Sequence, residues 1–133
     1  MSRLTVFLAR SIGLFTVLLV AALLIRGSAI IEATVTSGPV MLAYAIIGLA
    51  MGIAMVLGHN IWSGGALPVV VTLLGWLILA KGLLLLFVAP EALSRLLGQM
   101  RYGEHSALYL APALVLGLFL AGAGFLAPNS REP

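Results

Sequence analysis

The chain has 133 residues, of which 62% are hydrophobic and 8% charged, where an ordinary soluble domain carries about 25% charged residues. That composition excludes a soluble enzyme of normal make-up, a disordered tail and a collagen-like fibre. The net charge of +3 comes from seven basic and four acidic residues scattered along the sequence; they form no stripe that could follow a phosphate backbone, so nucleic acid is not an expected partner. The absence of cysteine removes disulfides, thiolate metal sites and thiol chemistry together.

Four apolar stretches, Thr5–Ile25, Val40–Leu57, Leu67–Val88 and Ala107–Leu126, run for 21, 18, 22 and 20 residues, the length a helix needs to cross a bilayer core. Apolar residues occupy every face of these stretches. A chain this short cannot build a core large enough to hide four such helices, so lipid must surround them. The expected fold is an all-α membrane domain: four transmembrane helices in an antiparallel bundle, multi-pass in its membrane.

The first stretch also has features of a signal peptide: Arg3 and Arg10, then Ile12 to Ile25, then small residues at Gly27, Ser28 and Ala29. It is read here as a retained first helix. The connection Arg26–Pro39 contains Ala29-Ile30-Ile31, and its β-branched Ile31, Thr34, Val35 and Thr36 argue against a stable helix. Pro39 and Pro68 stand in the opening turns of the second and third helices, where a missing N–H costs nothing. The nine residues Gly58–Ala66 predict a tight hairpin between these two helices.

The third connection places Leu93, Leu96, Leu97 and Met100 at helical spacing after Pro90 and Glu91, with Arg101 at the end. This predicts an interfacial helix over about residues 90–101, its apolar face down and Arg95 and Arg101 among lipid headgroups. A surface loop with one helical turn is the plainer reading. Small residues form stripes where helices can approach closely: Gly48 and Gly52 in helix two, Gly75 and Gly82 in helix three, Ala113, Gly117 and Ala121 in helix four. Packing inside the bundle is preferred for them over an oligomer seam.

Lys81 is the most unusual residue, a cation well inside the third apolar stretch. Its stem can snorkel towards the headgroups, and Glu32 and Tyr44 are the acceptors within its leaflet, Glu32 preferred if the first connection folds inward. Pairing is weighed ahead of a transport or gating role. Arg10 lies near the opposite surface, where His59, Asn60 and Trp62 arrive; it can meet the Asn60 side-chain carbonyl or lie over the Trp62 ring, or simply belong to the basic flank of helix one. His59 and His105 fall in connections on opposite sides, so they cannot share a haem or metal. With no Asp there is no Ser-His-Asp triad, and Glu91 and Glu104 read as solvated. No catalytic residue, metal ligand or cofactor is expected.

The elements His59-Asn60-Ile61-Trp62, Gly75-Trp76 and Lys81-Gly82 resemble those of small four-helix bacterial integral membrane proteins. The resemblance covers about a third of the chain and implies a bacterial inner-membrane location without any activity. Small multidrug exporters share the size but call for an acidic residue in helix one, and Thr5–Ile25 has none. The expected role is therefore a non-catalytic structural or accessory subunit, with lipid, other membrane subunits or further copies of the chain as partners. The alternative is an oligomeric channel or transporter using Lys81 or Arg10. Arg3, Arg10 and Arg131 on one side against Arg26, Lys81, Arg95 and Arg101 on the other leave the orientation undecided.

Overall fold

The computed structural model describes residues 2–27 and 29–127; Ser28 and Arg131, named above, lie outside them. The described residues form six helices and no strand: α1 (Arg3–Arg26), α2 (Ala29–Thr36), α3 (Gly38–Gly58), α4 (Ala66–Phe87), α5 (Pro90–Gln99) and α6 (Tyr102–Leu126). Four of these, α1, α3, α4 and the part of α6 from Glu104, are long and apolar enough to cross a membrane. They match the four stretches of the sequence and extend most by a turn or less. At the N-terminus the Ser2 hydroxyl accepts from Thr5 N at 3.1 Å and caps α1, supplying a partner to one of the donors a helix start leaves open.

Two departures from the sequence reading stand out. The first connection forms a helix, Ala29–Thr36, despite its β-branched residues. Its threonines turn their hydroxyls onto the helix itself: Thr34 donates to the Ile30 carbonyl at 2.8 Å and Thr36 to the Glu32 carbonyl at 2.9 Å. Packing against α5 and α3 then outweighs a weak intrinsic preference. The second departure is the start of the last helix. It begins at Tyr102 rather than Ala107, with a kink at His105 (φ −116°, ψ 22°). Arg101 turns the chain with φ 50°, and the Tyr109 hydroxyl donates to the Met100 carbonyl at 3.0 Å, tying the new helix to the end of α5.

The long helices associate as two pairs, α3 with α4 and α1 with α6, and the pairs touch each other more sparsely, chiefly through α1 and α4. Small residues set both seams. A methyl group at Gly52 would stand 2.5 Å from Leu79 Cα, and one at Gly82 would stand 2.6 Å from Leu49 N. Gly48 faces Gly82 and Gly75 faces Met55 along the same seam. Between α1 and α6, Gly13 abuts the Ala121 backbone, Gly117 meets Thr16 and Val17, and Gly124 meets Ala9 and Arg10. In both pairs residue numbers rise on one helix as they fall on the other. Ala113, the remaining member of the α6 stripe, is half-buried.

All four long helices contribute to one small core of Ala9, Met55, Leu67, Val71 and Leu120. It lies towards the end that holds the start of α1 and the α3–α4 connection. The opposite end carries α2 and α5, which pack against each other. In α5, Leu93 and Leu97 are half-buried, while Leu96, Met100 and Arg95 are exposed.

Candidate functional site

The polar side chains gather at the two ends of the helices. At the core end His59, which caps α3, is 1% exposed, whereas the sequence reading grouped it with surface residues. The hairpin folds its ring back between α1 and α4. Nε2 lies 2.8 Å from Thr5 Oγ1 and Nδ1 lies 3.2 Å from Thr72 Oγ1. Each ring nitrogen thus has a hydroxyl partner. Thr72 Oγ1 also accepts from Ile61 N at 3.0 Å and lies within donating distance of the Ile61 carbonyl, at 2.9 Å, and the His59 carbonyl, at 3.5 Å. Thr5 Oγ1 lies 2.7 Å from Ser2 Oγ. The result is one connected chain, Ser2 to Thr5 to His59 to Thr72 to the backbone of Ile61, which stitches the start of α1 to the α3–α4 pair.

Thr5 and Thr72 are themselves buried at 0% and 1% exposure, and the sequence reading did not single them out. A threonine inside an apolar run looks like one more β-branched residue; only its distance from a histidine, far off in sequence, gives it a role. The rest of the expected surface cluster divides. Arg10 Nε donates to the Gly124 carbonyl at 2.8 Å, and its guanidinium lies over the Phe125 ring at 5.2 Å. Trp62 Nε1 donates to Asn60 Oδ1 at 2.7 Å. Arg10 thus secures the end of α6, while Asn60 and Trp62 pair locally within the hairpin.

At the other end Lys81 Nζ stands 5.5 Å from the centre of the Tyr44 ring. Burying an ammonium at a helix centre costs about 2.5–3.5 kcal/mol on the insertion scale, and a cation–π contact returns about 0.5–2 kcal/mol. The preferred partner Glu32 does not pair with Lys81: among the described residues the ion pair formed is Arg101 with Glu104, at 3.0 Å and exposed. The reason is the α2 helix, which presents Glu32 to the outside and packs against α5 rather than folding inward to α4. Arg95 is exposed, its Nε donating to the Glu91 carbonyl at 3.3 Å, and Arg101 stands at the turn into α6.

Among the described residues no three of His, Asp or Glu come together as a metal site would require. Comparisons with protein-family models, curated proteins and solved structures find no match to this chain.

Proposed function

We propose that this chain is a non-catalytic integral membrane protein of the bacterial inner membrane, an antiparallel four-helix bundle with α2 and α5 lying in one interface. In this reading it serves as a structural or accessory subunit of a membrane assembly. One observation carries the proposal: only 17% to 22% of each span's most apolar stretch is buried within the chain, while Thr5, Arg10, His59 and Thr72 make internal contacts near one end of the helices. Large apolar faces with no polar path between the two ends suit lipid and neighbouring helices better than a conducted ion.

Affinity purification of the tagged full chain from its native membrane in mild detergent tests this. A stoichiometric membrane partner that persists through size exclusion is the expected result. A second reading, an oligomeric channel or transporter, draws support from the exposure of Lys81 on the outer face of the α3–α4 pair. It predicts instead a purified homo-oligomer that carries ion flux in liposomes and loses it in Lys81→Met or Arg10→Gln.

A further inference from the structure

The Lys81–Tyr44 contact is built by the seam beneath it. Gly82 faces Gly48 and Leu49 across the helix pair, so the backbone of Lys81 is level with about residue 49 or 50 of α3. Tyr44 stands five or six residues nearer the end of the bundle where α3 begins, roughly 8 Å at 1.5 Å per residue. To reach the Tyr44 ring the lysine stem must extend towards that end, against the tilt that directs helical side chains to their own N-terminus. The glycines allow the approach, and the ring gives the stem a wall to climb.

A ring face attracts the positive charge but accepts none of the ammonium's three N–H groups in the ordinary sense, and among the described residues Lys81 makes no hydrogen bond or ion pair. Lys81 and Tyr44 are both exposed, so the cation faces outward rather than into the bundle. Exposed apolar residues continue the same two stripes away from that end: Ile47 and Met51 follow Tyr44, and Leu77 and Leu73 precede Lys81. An exposed cation near one end of the helices, above an apolar track along a helix seam, has the shape of one phospholipid: phosphate above, acyl chain below.

We infer that Lys81 and Tyr44 form a binding site for the phosphate of an anionic phospholipid, whose acyl chain lies on Ile47, Met51, Leu73 and Leu77. In this site Lys81 donates to a phosphate oxygen and the Tyr44 hydroxyl to a second. The site rests on the membrane placement of the four helices and not on the accessory role proposed above.

Native mass spectrometry of the full chain, extracted from membranes and supplied with phosphatidylglycerol or phosphatidylcholine, tests the site. The wild type retains one phosphatidylglycerol in preference to phosphatidylcholine. Lys81→Met lowers that preference about tenfold, Lys81→Arg keeps it, and Arg26→Gln, which removes an exposed basic residue at the same end, leaves it within twofold. Inorganic phosphate in excess does not displace the lipid. Equal preference in wild type and Lys81→Met overturns the site; displacement by inorganic phosphate assigns it to the free anion and overturns the lipid. If Lys81→Met does not survive extraction, Lys81→Gln takes its place with the same expected loss. Failure of the membrane placement would be seen separately, as chain released by alkaline washing of the membranes.

Discussion

His59 shows how much depends on single hydroxyl groups in this chain. Thr72→Val keeps the volume of the side chain but leaves Ile61 N–H without its acceptor and His59 Nδ1 without its hydroxyl partner, and an orphaned buried polar group costs about 1–3 kcal/mol. Thermal unfolding in detergent should show that loss. Thr5→Val should show a loss of similar size, and the double variant should lose less than the sum, because both act through the one ring. Lys81 and Glu32 behave differently. Since α2 holds Glu32 away from α4, Glu32→Gln should leave the melting temperature unchanged in wild type and in Lys81→Met alike. A shift that Lys81→Met abolishes would mean the two residues meet after all. The lysine was legible in the sequence because a charge in an apolar run must be answered, and Tyr44 was legible from depth alone. The choice between Tyr44 and Glu32 was not, since it turned on whether α2 forms.

At the level of the elements, the spans were legible because a long stretch that is apolar on every face has few other places to go. The spacing of Leu93, Leu96 and Leu97 behind Pro90 marked α5 for the same kind of reason: period and cap agree. α2 was hidden, because its β-branched residues speak against a helix while the contacts that stabilise it come from α3 and α5. The pairing of α1 with α6 was also beyond reach, as was the partner of Arg10: Gly124 lies 114 residues further along the chain. The seams give a direct test of that pairing. Gly13→Ala and Gly52→Ala insert a methyl group into backbone of the facing helix and should each cost about 1–3 kcal/mol. Gly122→Ala, whose added carbon meets nothing within 4 Å, should be neutral or gain up to about 1 kcal/mol from helix propensity. Equal losses at all three positions in a detergent melt would contradict the seams.

For the whole molecule, the arrangement is two helix pairs joined unequally at their ends. A small apolar core and the His59 chain of hydrogen bonds join them where α1 begins, and the α2–α5 layer covers the other end. In the proposed membrane reading, an even number of crossings puts Ser2 and the α3–α4 hairpin on one side of the membrane and both short helices on the other. The absence of native cysteine makes this measurable without a background correction. Single cysteines at Ser2, Ser63, Ala33 and Gln99, probed with a membrane-impermeant maleimide on right-side-out and inverted vesicles, test the account most directly. Four crossings require that Ser2→Cys and Ser63→Cys label from one side only, and Ala33→Cys and Gln99→Cys from the other side only. Labelling of Ser2 and Gln99 from the same side, or of all four from both, would contradict four membrane crossings.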